Sequence, residues 1–341
     1  MIIVFGAAGF IGSYLVDELH RSGHTVIAAD ISDAAQQHYL QLGVSYINID
    51  IAKKDHFNRL PTSDVDAVIN LACVQPANIS KKTYSSSAYV EVNTIGALNI
   101  LEYCRTSGIQ KIITATSHRN TEGLWRDGRL ITETDGRAPA FTGEYAMFSI
   151  SESAAEDCIK HYSEEYGMQG IIFRLPPVYG YGPHTIIFKN GICTVTGFQV
   201  FIDRAVKGEP IEIWGNPDVA RDIIYVKDVV RAFTLALQSK AAIGLYNISS
   251  GVGLSLRRQV QETIDLFGTD NYQSKVIFKP EKDNSIDPFL YDNSKAKRDF
   301  NWSPEYCFKD LLLDYQKEMK SKRFEYLIKK RELLHEKNRS D

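Results

Sequence analysis

The sequence lacks a metal-binding cysteine pattern. Its five cysteines, Cys73, Cys104, Cys158, Cys193 and Cys307, are scattered and odd in number, with no Cys-x-x-Cys pair. That spacing offers no zinc ribbon or redox dithiol, so no metal is expected and the thiols read as reduced, in a cytoplasmic protein. Long apolar runs are also missing, and no segment approaches the roughly 18 uninterrupted apolar residues of a spanning helix. The first residues, Met1-Ile2-Ile3-Val4-Phe5, run straight into strand-like sequence without the cationic start of a secretory signal. Charge of either sign is not in excess: the formal net charge is −3. Neither nucleic acid nor a membrane is therefore expected as a partner. Internal repeats and low-complexity tracts are absent as well.

What is present is a chain of 341 residues with 44% hydrophobic content, enough for one large α/β domain carrying a smaller one. Short runs rich in Val, Ile and Ala predict buried strands at 2–5, 25–29, 45–49, 67–71, 111–115 and 170–175. Between them, helices are predicted at 11–21, 88–105 and 144–166, with Gly23 and Gly167 as stops. This alternation predicts a Rossmann-type doubly wound parallel sheet. The Rossmann domain is read as 1–175, with about 221–250 returning to it. The run Pro176-Pro177-Val178-Tyr179-Gly180-Tyr181-Gly182-Pro183 breaks the pattern, and 176–320 is read mainly as a smaller C-terminal α/β substrate-binding lid. Residues 321–341 form a charged helical tail with Phe324, Leu327 and Ile328 on one side, read as a solvated or subunit-docking helix.

The strongest local signal is the turn Gly6-Ala7-Ala8-Gly9-Phe10-Ile11-Gly12, between the first strand and first helix. Gly6 permits the tight turn, Gly9 lets backbone approach a pyrophosphate, and Gly12 lets the helix pack closely. The helix start at Phe10 and Ile11 supplies N–H donors and a positive dipole end. Asp30 ends the second strand, where a carboxylate accepts from adenosine ribose hydroxyls and repels a 2′-phosphate. The following Ile31-Ser32-Asp33 brings no arginine, so NAD is the expected cofactor.

The glycine turn, joined to Asp50-Ile51, Leu71-Ala72, the run from Asn93 to Asn99, Val178-Tyr179-Gly180, Ile213-Trp214-Gly215, the run from Arg221 to Asp228, Tyr246-Asn247-Ile248 and Trp302-Ser303-Pro304, resembles the extended short-chain dehydrogenase/reductases. Within them it looks most like the nucleotide-sugar epimerase/dehydratase group. The resemblance implies that Asp50 and Ile51 flank the adenine, that Leu71, Ala72 and Pro176 line the cofactor path, and that Asn93 supports the sheet end. It implies a nucleotide-sugar ligand whose diphosphate meets Arg221; a salt bridge to Asp222 is the alternative for that guanidinium. Trp214 either stacks on ligand or fills the lid core. A homodimer through the helices at 88–105 and 144–166 is implied too.

The same resemblance exposes a departure. Family members carry Ser/Thr after the fifth strand and then Tyr-x-x-x-Lys on the next helix. The tyrosine exchanges a proton with a sugar hydroxyl, and the lysine holds the ribose and lowers the phenol pKa. Ser117 matches the serine. Aligning Ser151, Ala155 and Glu156 with the helix pattern puts Phe148 at the tyrosine and Glu152 at the lysine. Aligning Tyr145 instead puts Ser149 at the lysine and loses the other matches. Neither register supplies a lysine. Glu152 can still accept from nicotinamide ribose hydroxyls, while Tyr145, His118 and His184 are candidate replacement proton carriers. His118-Arg119 stands where 4,6-dehydratases of the family carry Asp-Glu, which argues against that reaction. Pro177 replaces an asparagine that commonly touches the sugar. Two functions follow: an NAD-dependent oxidoreductase or epimerase-like enzyme with an atypical acid/base, or an NAD(H)-binding protein without turnover.

Overall fold

The alternation of apolar side chains in Ile2–Phe5 (β1) explains how the sheet is buried on both sides. Ile2 and Val4 enter one apolar layer, Ile3 and Phe5 the other, and all four are at most 4% exposed. The computed structural model describes residues 1–80, 83–125, 128–268, 273–284 and 287–329. Six further strands complete the main sheet: Val26–Asp30 (β2), Ser45–Asn48 (β3), Ala67–Asn70 (β4), Lys111–Ser117 (β5), Gln169–Leu175 (β6) and Gly244–Asn247 (β7). The spatial order is β7-β6-β5-β4-β1-β2-β3, with every neighbouring pair parallel. The first six lie within two residues of their sequence-predicted bounds, and the fold is the doubly wound Rossmann-type sheet that the sequence predicts. The chain runs outward from β1 to β2 and β3 and then crosses back to β4 on the other side of β1, so a crevice opens at the carboxyl ends of these strands.

Helix Phe10–Arg21 (α1) packs on the face of Ile2 and Val4. The opposite face is covered by α2, which runs as Ser86–Tyr89, a wider π-helical stretch Val90–Ile95 and Gly96–Thr106, and by α3, Ala146–Tyr166. The sequence predicts one regular helix for α2; the wider stretch contains Asn93, which reaches both Val74 and Ser151. Gly167 closes α3 at φ 68°, in the left-handed region glycine favours. The later chain adds small sheets, among them Ile211–Trp214 with Val276–Lys279 and Ala220–Asp222 with Gly253–Ser255. Their apolar residues, including Ile211, Ile213 and Leu254, continue the cluster that contains β1 and α1.

The reading of the tail as a solvated or subunit-docking helix is corrected by its packing. After Phe308–Ser321 (α4) the chain turns, and Phe324 and Leu327 are buried in the main apolar cluster at 0% and 4% exposure. Phe324 lies 4.6 Å from the ring of Tyr14 on α1, and Arg323 pairs with Asp17 at 2.8 Å. An apolar stripe thus finds its partner within its own chain; residues 330–341 of the predicted tail lie outside the described residues. Among the described residues no helix is long and apolar enough to cross a membrane.

Candidate functional site

One cleft of about 810 Å³ runs along the carboxyl ends of the strands, from Gly6, Gly9 and Asp30 to Ser117, Phe148 and Glu152. At its first end the backbone sets the geometry. Gly6 has φ 78°, and a Cβ there would lie 2.6 Å from Ala72 N; a Cβ on Gly12 would lie 2.1 Å from Gly6 O. A side chain on Gly9 would instead enter the open cleft mouth, touching only Gly6 O at 3.1 Å. The first intrahelical bond of α1 is Ser13 N–H to Gly9 O, and Gly9 brings no side-chain cap. The N–H groups of Phe10, Ile11 and Gly12 therefore have no protein acceptor among the described residues, which makes this helix start suited to receive an anion. Asp30 fastens the turn: its carboxylate accepts from Ala8 N–H at 2.9 Å and from Ser32 N–H at 2.8 Å. Asp50, Ile51, Leu71, Ala72, Asn93, Pro176 and Pro177 all line the same cleft.

At the second end the side chains decide. Ser117 closes β5, and its Oγ accepts from Arg119 N–H at 3.1 Å. His118 is flanked by Trp125 and Phe289, with ring centroids 5.5 and 5.4 Å away. Burial, with Arg119 and Arg221 nearby, holds its imidazole well below the usual range. Its Nδ1 lies 3.2 Å from the Leu175 carbonyl. A carbonyl only accepts, so Nδ1 carries the proton of this neutral ring and Nε2 is left as the basic nitrogen. Phe148 lines the cleft but belongs to an apolar cluster with Ile79 and Tyr89. Glu152, one turn further, is pushed up to about 8 by burial and by Glu156.

The remaining candidates are dispersed. Tyr145 precedes α3 with the Arg119 guanidinium 4.0 Å above its ring; it packs on the Phe148 cluster and is not a cleft-lining residue. His184 lines the cleft beside the glycine turn, stacked 3.7 Å from Phe10. Arg221 forms no ion pair with Asp222, whose carboxylate is taken by Ser250, Gly251 and Tyr291. Its buried Nε has no hydrogen-bond partner among the described residues, and its charge acts on both His118 and Tyr145. Trp214 is 45% exposed, donates to Glu212 at 2.8 Å and lies under Lys282, so it does not fill a lid core.

Several cleft residues escape sequence reasoning. Leu327 arrives from the tail, and Ile187 and Phe188 from the hairpin after Pro183. Glu156 accepts from Thr116 at 2.6 Å and Asn120 at 2.5 Å, and faces Arg137 at 3.6 Å, which ties the end of β5 to α3. Glu156 follows Glu152 at the i+4 spacing of one helix face, a signal that a second carboxylate stands beside the first.

Comparison with known proteins agrees with this geometry. The sequence matches the model of the NAD dependent epimerase/dehydratase family over residues 2–249. A candidate UDP-glucose 4-epimerase of Methanocaldococcus jannaschii is 28% identical over 91% of this chain and 95% of its own. UDP-glucuronic acid decarboxylase 1 of Arabidopsis thaliana is 26% identical over 91% of this chain and 67% of its own. Among solved structures, the UDP-glucose 4-epimerase of Thermus thermophilus in complex with NAD superposes with a TM-score of 0.72 at 25% identity, covering 93% of this chain and 98% of that one. Because the family match runs from β1 through β7, the whole main sheet falls within it: the chain belongs to the NAD dependent epimerase/dehydratase family, and its cofactor is NAD.

Proposed function

We propose that the protein is an NAD-dependent oxidoreductase or epimerase-like enzyme acting on a nucleotide-activated sugar, with a proton carrier other than the usual tyrosine. NAD when bound supplies hydride exchange at its nicotinamide ring. The residues suited to hold it are the N–H groups of Phe10 to Gly12, the Asp30 carboxylate and the walls formed by Asp50, Ile51, Leu71, Ala72, Asn93 and Pro176. The Arg221 guanidinium, unpaired with any carboxylate among the described residues, suits a diphosphate. The observation that carries the reading is the presence of Ser117, His118 and Glu152 on the wall of the cleft that begins at the glycine turn. Ser117 orients a sugar hydroxyl, and Nε2 of the neutral His118, a weak base while burial, Arg119 and Arg221 act on it, accepts the proton once a substrate diphosphate offsets the Arg221 charge. Relatives named for epimerase, decarboxylase and reductase activities on UDP- and dTDP-sugars support the substrate class.

The test is incubation of purified protein and NAD with a panel of UDP- and dTDP-sugars, read by product analysis and nicotinamide absorbance. A new product is expected, with turnover lowered about 10²–10⁴-fold by Ser117→Ala or His118→Gln. No turnover across the panel would contradict the reading and favour a second one, an NAD(H)-binding member without chemistry, which Phe148 in its apolar cluster supports. In that case Phe148→Tyr with Glu152→Lys is expected to create activity the natural protein lacks. A homodimer through α2 and α3 is also proposed, supported by the exposed Val90, Ile95 and Ile150 on these helices.

A further inference from the structure

One carboxyl group in the cleft has no hydrogen-bonded or oppositely charged partner among the described residues. Glu152 is 8% exposed, lines the cleft wall and has no hydrogen bond or ion pair from any described residue. The titratable group acting on it is Glu156, further along α3; the Cys73 thiol, which follows β4, is itself pushed up by burial and by Glu152. The polar groups around them are already engaged. Thr116, Asn120, Arg137 and Arg174 act on Glu156, while Asn93 of α2 is bonded to Val74 and Ser151. Among the described residues no cation reaches Glu152.

Its position along the cleft follows from the fold. The adenosine half belongs at Asp30, on the β2 side, and the phosphates at the start of α1 above β1. The rest of an extended dinucleotide then crosses β4 toward the end of β5, where Ser117 and Glu152 lie. The nicotinamide ring is the part whose charge differs between the two redox forms, cationic in NAD⁺ and neutral in NADH.

We infer that Glu152 makes the cleft select oxidised over reduced cofactor, by placing a carboxylate beside the part of the dinucleotide that loses its positive charge on reduction. An ammonium at this helix position has the opposite preference, because it repels the pyridinium. The selection is coupled to a proton. In the empty cleft the buried carboxyl keeps its proton up to about pH 8. Entry of NAD⁺ favours the ionised form, so the Glu152 O–H proton leaves to bulk water and a carboxylate–pyridinium pair remains; NADH entry gives no such release. This inference rests on NAD as the cofactor and not on the sugar chemistry.

The experiment measures dissociation constants of NAD⁺ and NADH for the wild type and Glu152→Gln between about pH 6 and about pH 9, a range spanning the titration. The wild-type preference for NAD⁺ over NADH is expected to rise about tenfold across that range, as one partly screened charge pair forms. The Glu152→Gln variant, similar in shape and uncharged, is expected to show a flat ratio. Calorimetry of the wild type in two buffers of different ionisation enthalpy needs no variant, and is expected to record proton release with NAD⁺ and none with NADH. A flat wild-type ratio, or equal proton uptake with both nucleotides, overturns this inference alone. Binding of neither nucleotide overturns the cofactor assignment together with it.

Discussion

The two ends of the cleft are built by different means. At the end that holds the glycine turn the backbone makes the site: a left-handed Gly6, a Gly12 with no room for a Cβ and an Asp30 carboxylate fastened to two N–H groups. At the other end side chains on β5 and α3 make it, among them Ser117, Phe148 and Glu152. A site made of backbone fails when one atom is added, so it keeps its sequence signature. A site made of side chains can be rewritten while the strands and helices beneath it stay in place.

The largest expected effect breaks the first end. Gly12→Ala puts a methyl group 2.1 Å from a carbonyl oxygen of the turn. NAD binding should become undetectable by calorimetry, with stability lowered by about 1–3 kcal/mol from overpacking. A variant that bound NAD normally would show that the turn is not rigid.

The next effect sharpens the second end through pH. The folded chain holds the Glu152 proton up to about pH 8, whereas an unfolded glutamate releases it at about pH 4.3, as in model peptides. Between these values the folded state binds more protons, so this group's contribution is fully present below the unfolded pKa and is lost as pH rises through the folded pKa. Chemical denaturation of Glu152→Gln should show a flatter stability–pH profile than the wild type. The variant should be the more stable above about pH 8, by a few kcal/mol at most at about 1.4 kcal/mol per unit of displacement. Parallel profiles would mean that Glu152 is solvated or paired.

The contrast also explains what was legible in the sequence. Apart from the edge strand Ser45–Asn48, whose residues are half-buried or exposed, the first six strands contain short, largely buried apolar runs, and such runs announce themselves; the edge strand Gly244–Asn247 is four residues beginning with glycine and carries no such pattern. The tight glycine turn and the place of Asp30 at the end of β2 could be read because they depend on local spacing. The surroundings of His118 could not, since Trp125 and Phe289 meet it only in the folded chain. The tail failed for a related reason: a stripe of Phe324, Leu327 and Ile328 reveals an apolar face but not the α1 surface it covers. Arg221 and Asp222 are neighbours in sequence, yet successive strand residues point to opposite faces, and Asp222 is claimed by Ser250 and Gly251.

The smallest expected effect marks the boundary of both ends. Trp214 is 45% exposed and contacts Glu212 and Lys282 rather than the cleft. Trp214→Ala should change stability by less than about 0.5 kcal/mol, as surface substitutions do, and leave NAD affinity unchanged in the same titration. A loss of NAD binding would show that the cleft extends to the small sheets.

The most direct test of the account is a calorimetric titration of NAD⁺ into the wild type and Asp30→Ala. Saturable binding is expected for the wild type, weakened about 10–100-fold in the variant as the carboxylate acceptor is lost. Absence of wild-type binding, or an affinity indifferent to Asp30, would contradict a dinucleotide lying across these strand ends with its adenosine anchored at β2.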